Sequence, residues 1–303
     1  MKKSLSKRTT LLSRIWQYRA SYVLMLPFTL LFVTFVVLPV LVSIGLGFTY
    51  YNVFQSPVFV GLENYIRLFF EDDIFMTSIQ NTLVFAVVTG PISYLMCLFF
   101  AWMINDLSRG VRAFLTLLFY TPSLVGGVAI WKLILSGDQY GVINSILISL
   151  NITNDPIRWF TDSSTMKIAI IVIVLWQSLG VNFLSFVAGF QNVDRSLYEA
   201  GAIDGIRNRW QELWYITLPS LKGQLMFGAI ISITGSFGIG EVITTYCGFP
   251  SSNYGAHTIM NHLQDYGSIR FEMGYACAIA TILFLIMMLL NQLIQRLIAK
   301  VGQ

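Results

Sequence analysis

The chain has 303 residues, 55% of them hydrophobic and only 11% charged. Soluble domains carry about 25% charged residues, so a water-facing surface over most of the chain is excluded. The net charge of +4 excludes little by itself; the three cysteines, Cys97, Cys247 and Cys277, form no CxxC pair and read as small apolar packing residues rather than a disulfide framework or metal site.

The first segment, 1–20, is a basic tail. The apolar run from about Ser21 to Tyr50 is too long for a signal-peptide core and has no small-residue cleavage site, so it reads as a retained membrane span. Spans are predicted over 21–48, 76–104, 113–135, 166–190, 223–247 and 269–296. Each is near the ~20 residues that cross ~30 Å of hydrocarbon. The second opens on polar residues, Thr77, Ser78, Gln80, Asn81 and Thr82. Pro27 and Pro39 in the first span, Pro91 in the second, and Pro122 with Gly126-Gly127 in the third predict irregular helices. Gly228, Ala229, Ser232, Gly235 and Ser236 predict close packing along the fifth, with a permeation path as the second reading. The expected organisation is a tail (1–20), a first helix with an outer loop (21–75), a five-helix core (76–296) containing a long loop at 191–222, and a C-terminal tail (297–303).

Basic residues are retained on the cytoplasmic side. Lys2, Lys3, Lys7, Arg8, Arg14 and Arg19 precede span one, Arg109 and Arg112 follow span two, Arg195, Arg207, Arg209 and Lys222 follow span four, and Arg296 and Lys300 end the chain. These are 14 of the 19 Lys and Arg. The alternate loops carry Glu63, Glu71, Asp72, Asp73, Asp138, Asp155, Asp162 and Asp265. The expectation is a multi-pass plasma-membrane protein with both termini in the cytoplasm.

The loop 191–222 therefore lies in the cytoplasm on this reading. Tyr198 to Ile203 fits a short helix with Asp194 or Ser196 as N-cap, Gly205 permits a turn, and a second helix over about Arg209–Ile216 carries Trp210, Leu213 and Trp214 on one face before Pro219. So many apolar residues beside acids predict a knob that docks a soluble partner; the alternative is a solvated connector.

The stretch Glu199-Ala200-Gly201, Asp204-Gly205 and Ile216-Thr217-Leu218-Pro219 resembles the EAA loop of binding-protein-dependent ABC importer permeases, in the carbohydrate branch that includes the maltose and glycerol-phosphate permeases. The resemblance extends over most of the chain, through Val60-Gly61-Leu62-Glu63-Asn64-Tyr65, Asn81-Thr82-Leu83, Tyr120-Thr121-Pro122-Ser123, Trp131, Gly141-Val142-Ile143-Asn144, Trp176, Gly180, Asn182 and Gly189-Phe190-Gln191. Two features depart from the family pattern. Gly201 stands where alanine is usual, and the Gly205-to-Pro219 interval is one residue longer, which bears on the register of the second helix.

The resemblance implies an all-α, polytopic, MetI-like permease fold of about six transmembrane helices. It implies that Glu199, Ala200, Gly201, Asp204 and Gly205 form a coupling helix that docks on a cytoplasmic ATPase dimer. It also implies a second, homologous permease chain, an extracytoplasmic sugar-binding protein, a carbohydrate substrate and a surrounding lipid bilayer; no nucleic acid is involved. The sequence has no GxxxxGK[ST] loop, so no cofactor is expected here and ATP and Mg belong to the partner ATPase.

Polar residues inside spans are costly in lipid and are expected to face the bundle interior. The pathway candidates are Asn81, Trp176, Gln177, Asn182, Ser185, Ser236, Glu241, Thr244 and Thr245, with Asn182 first and Glu241 next. Asn182 and Ser185 share a helix face, and Trp176 offers a ring for a sugar to stack on. For each, interhelical packing is the alternative. His257 and His262, near Asp265, lack a convincing third metal ligand and are expected as polar surface histidines. Arg270 and Glu272 are expected at the interface. On residues alone, two other classes stay open. An ion-coupled secondary carrier needs ionisable residues in several spans, where Glu241 is nearly alone. A membrane enzyme needs converging His, Asp or Cys groups, and none is evident.

Overall fold

A computed structural model describes residues 18–298. The expected basic tail and C-terminal tail, with Lys2, Lys3, Lys7, Arg8, Arg14 and Lys300, lie outside the described residues.

Helix α1 spans Arg19–Leu46. Pro39 has no N–H to donate, and just before it the helix widens into a π turn, Val33–Val37, in which Leu38 N–H reaches Val33 O. No residue of α1 is buried by the rest of the described chain, so its apolar surface is left for lipid or another subunit. A two-residue hairpin, β1 (Thr49–Tyr50) with β2 (Val58–Phe59), leads to α2 (Glu63–Phe70). Asn64 fastens this turn by donating to the carbonyls of Gly47 and Thr49.

Helix α3 (Asp73–Asn105) is the central mast. Its 33 residues give about 50 Å, longer than the hydrocarbon layer. Asp72 caps it by accepting from Phe75 N at 2.9 Å. Three buried clusters lie along it in order: Phe75 with Leu68, Ile259 and Tyr275; Phe85 with Ile170, Ile173 and Ile243; and Cys97, Ala101 and Ile104 with Phe183, Phe186 and Leu225.

The third predicted span is not straight. α4 (Arg109–Val125) and α5 (Val128–Ile134) meet at 88°. Between them Gly126 and Gly127 both adopt positive φ, +65° and +58°, which side chains with a Cβ resist. The loop that follows holds α6 (Val142–Ser149) and is pinned by Asn144. This fully buried amide donates to the carbonyls of Ser136, Asp138 and Ile157 and accepts from Ile157 N and Trp159 Nε1.

The fourth span is α7 (Ser163–Gln177) and α8 (Val181–Gln191), interrupted at 178–180. The loop beyond it forms α9 (Arg195–Ile203) and α10 (Arg209–Glu212), then a π turn, Leu213–Thr217. The fifth span is α11 (Lys222–Phe237) and α12 (Gly240–Cys247). α13 (Ile259–Gln264) precedes the last span, α14 (Met273–Ile298). Among the described residues, five helical segments are long and apolar enough to cross a membrane, and a sixth is present if α4 and α5 count as one bent span.

Candidate functional site

Three polar regions are distributed along α3. The first is the knob of 191–222. Asp194 caps α9 by accepting from Ser196 N at 3.0 Å. At its other end Ile206 N–H reaches Gly201 O and Gly205 N–H reaches Ala202 O, which is a Schellman closure. It requires the left-handed φ of +94° that Gly205 adopts. Glu199, Ala200, Asp204 and Gly205 lie exposed on one side, with Ile203 between them at 88% exposure. Gly201 is buried on the other side, under Ile216.

The second helix departs from the expected 209–216. Only Arg209–Glu212 is α-helical, and the next turn is π. A π turn takes one extra residue per turn, so it absorbs the extra residue between Gly205 and Pro219 while leaving Pro219 at the start of the next segment. Of the expected common face, Leu213 packs against the core while Trp210 and Trp214 stay exposed, Trp210 with its ring tilted against Trp102 at 4.8 Å between centroids. Arg209 pairs with Asp106 at 2.6 Å, and Tyr198 bonds Thr217 at 2.9 Å. The knob is thereby tied to itself and to the end of α3.

The second region is a cavity of about 230 Å³ between α3, α7, α8 and α11. Thr89, Ser93, Gln177, Ser178, Asn182, Ser232 and Ser236 line it together with Val174, Ile231, Ile239 and Val242, and most of its surface is apolar. Asn182 donates to Ser232 Oγ at 2.8 Å; its Oδ1 has no partner and presses against Gly228, where a side chain has no room. Gln177 donates to Gly126 O at 2.6 Å, and Tyr246 donates to the same carbonyl, so the cavity wall holds the bend of the third span.

The other pathway candidates fall elsewhere. Trp176 sets its ring edge-on to Trp131 and close over Gly127. Ser185 is half-buried and off the cavity wall. Asn81 donates to the carbonyls of Tyr254 and His257, satisfying a segment that has no helical partners. Thr244 accepts from Asn261. Glu241 and Thr245 do not face the bundle interior. The inward side of α12 is Gly240, Ile243 and Tyr246, one helix stripe, which leaves Glu241 and Thr245 exposed. Thr89, Ser93 and Ser178 were legible only as isolated small polar residues, and sequence reasoning missed them.

The third region, at the opposite end of α3, corrects the expectation of surface histidines. His257 and His262 are each 1% exposed. His262 Nε2 meets Asp72 Oδ2 at 3.0 Å, and Tyr275 donates to the same oxygen at 2.8 Å. Asp265 pairs instead with Arg270 at 2.7 Å, and Glu272 with Arg67 at 2.7 Å. Burial, reinforced by the neighbouring His262, pushes His257 down to about 4. Burial alone would raise Asp72, but the His262, Phe75 N–H and Tyr275 contacts hold it below the usual carboxylate range.

A family model described as "Binding-protein-dependent transport system inner membrane component" matches residues 93–302. The probable ABC transporter permease protein YesP of Bacillus subtilis (strain 168) is 32% identical over 279 residues, covering 90% of this chain and 88% of that protein. The arabinooligosaccharides transport system permease protein AraP of Halalkalibacterium halodurans is 30% identical over 274 residues, covering 89% and 84%. In the solved structure of a bacterial alginate ABC transporter in complex with alginate pentasaccharide-bound periplasmic protein, one chain superposes with a TM-score of 0.75 at 22% identity. That likeness covers 97% of this chain and 99% of the other, and it shows a shared fold.

Proposed function

The chain belongs to the family of binding-protein-dependent transport system inner membrane components, and from that premise we propose that it forms one half of the pathway of an ATP-driven carbohydrate importer. The carbohydrate class rests on relatives such as the arabinooligosaccharide permease; the cavity adds two amides, Gln177 and Asn182, among apolar walls, and amides pair with sugar hydroxyls. The distribution of Lys and Arg supports a cytoplasmic position for both termini and for the 191–222 knob.

The observation that carries the coupling role is the geometry of α9. Its Glu199, Ala200 and Asp204 face outward on a helix closed by Gly205, while the knob is bolted to α3 through Arg209–Asp106 and Trp210–Trp102. A force applied to that face reaches α3 as a rigid-body displacement rather than as bending of a loop. Because α3 lines the Asn182 cavity through Thr89 and Ser93, movement of the knob re-forms the pathway walls. The force comes from closure of a separate ATPase dimer. A second permease chain completes the cavity, and its contact with lipid-exposed α1 and with Glu241 is expected to bury surface that is open in this chain.

Purification of the tagged chain from its native membrane tests this reading. An ABC ATPase and a second permease are expected to co-purify in stoichiometric amounts, together with a binding protein that responds to sugar. A chain that purifies alone, from membranes in which it supports uptake, would overturn it.

A further inference from the structure

A second cavity, of about 1250 Å³, is distinct from the one at Asn182. It lies between the end of α3, the first three turns of α4, the end of α8 and the coupling knob. Four arginines line it, Arg109, Arg112, Arg195 and Arg209, against two acids, Asp106 and Glu212. Arg209 neutralises Asp106. Arg112 donates to the backbone carbonyl of Asn105 and so keeps its charge uncompensated. Arg109 and Arg195 have no hydrogen-bonding or ionic partner among the described residues. The cavity is thus net positive, and its free guanidinium groups have the planar, two-pronged donor geometry that suits phosphate.

Its polarity changes along α4. The charged part spans Asn105 to Arg112; farther along, the wall is Ala113, Leu117, Tyr120, Leu184 and Val187. From Arg109 to Tyr120 the helix rises about 16 Å, so the cavity runs from a cationic mouth well into the apolar layer. Leu117 is 62% exposed on this path. A free phosphate or nucleotide uses only the mouth, and the chain's own basic tail has the wrong sign. An amphiphile with an anionic head uses both ends.

We propose that this cavity is a site for an anionic phospholipid of the cytoplasmic leaflet, its phosphate on Arg109, Arg112 and Arg195 and its acyl chains along Leu117, Tyr120 and Leu184. The placement rests on the cytoplasmic orientation proposed above. Basic pockets between transmembrane helices on that side are where anionic headgroups bind. Because Arg195 and Tyr198 belong to α9, the bound lipid would bridge α4 to the coupling helix, and the bilayer's anionic content would set how firmly the knob is held.

The test uses the complete purified complex and native mass spectrometry with phosphatidylglycerol as the probe. Arg109→Gln with Arg195→Gln is expected to weaken phosphatidylglycerol retention about 30-fold, leaving phosphatidylcholine retention and subunit assembly unchanged. Both arginines are exposed and unpartnered, so the double variant keeps its fold. In vesicles, wild-type ATP hydrolysis is expected to respond to phosphatidylglycerol content and the double variant is not. Equal retention by wild type and variant overturns the site. Displacement of the lipid by millimolar inorganic phosphate overturns the lipid assignment in favour of a free anion. The orientation is read separately, by labelling a cysteine placed at Ser108 from either side of the membrane; labelling from outside refutes the orientation whatever the lipid result.

Discussion

Gly201 lies directly beneath Ile216: a Cβ built on Gly201 would come within 2.6 Å of Ile216 Cδ1 and 3.1 Å of Ile206 Cδ1. This contact joins α9 to the π turn that follows α10. Both nearby atoms are the ends of flexible side chains, which can yield to a methyl group but not to a large side chain.

Gly201→Ala is expected to be tolerated. The atoms in the way are the ends of two flexible side chains, and alanine gains about 1 kcal/mol of helix propensity over glycine. Complex yield and melting temperature should stay near wild type, whereas Gly201→Leu should pry α9 from the π turn and lose ATPase co-purification. Equal behaviour of the two variants would show that this contact does not set the knob.

Gly205→Val should damage coupling more than it damages insertion. A β-branched residue at φ +94° costs about 1–3 kcal/mol, and the position is otherwise open. Membrane abundance should hold while sugar-stimulated ATP hydrolysis falls several-fold. Gly205→Asn, which adopts left-handed conformations more readily, should recover most of it.

Asn182→Ala removes the bond to Ser232 and one amide from the cavity wall. Transport is expected to fall at least tenfold with subunit assembly unchanged, since a single good contact to a buried polar group is worth about 1–3 kcal/mol. Glu241→Gln, on an exposed face of this chain, should leave substrate affinity unchanged and weaken association with the second permease. Unchanged uptake in Asn182→Ala would remove the cavity from the pathway.

The buried histidine end predicts acid sensitivity of one sign. The unfolded chain takes up a proton on His257 near pH 6.5, while the folded chain resists until about 4. Stability is therefore lost as pH falls through that window. Asp72, held below its usual range, contributes stability above about pH 3.9 that is lost at still lower pH. Asp265, Arg270, Arg67 and Glu272 surround the same cluster and form two ion pairs beside it. Thermal unfolding of the complex should shift to lower temperature between pH 7 and pH 5, and His257→Gln should flatten that shift. An equal shift in the variant would place the acid sensitivity elsewhere.

What the sequence discloses here follows the range of the interactions. Spans and the coupling motif are local patterns: apolar runs, a capping Asp194, and a glycine at Gly205 whose backbone must turn left-handed. The bend at Gly126-Gly127 was marked by its glycines, but its 88° depends on Gln177 and Tyr246 reaching one carbonyl from two other spans. The histidines were read as surface groups because the residue that buries one of them, Asp72, lies 190 positions away. Glu241 was read as interior because a membrane carboxylate suggests a buried partner, yet Gly240 and Ile243 are the residues that fix which face of α12 turns inward. Asn144 looked like part of a family signature and proves to be the anchor of a whole loop.

In the proposed mechanism, force enters through Glu199 on α9 and is transmitted to the pathway. The most direct test reconstitutes the complete complex with its binding protein in vesicles and compares wild type with Glu199→Lys. Glu199 is exposed and has no polar partner among the described residues, so the substitution should leave folding and insertion intact, within about 0.5 kcal/mol. Wild type is expected to take up sugar in an ATP-dependent way, and the variant to lose uptake together with sugar-stimulated ATP hydrolysis. Uptake at the wild-type rate by Glu199→Lys, or uptake that needs no ATP, would contradict this mechanism.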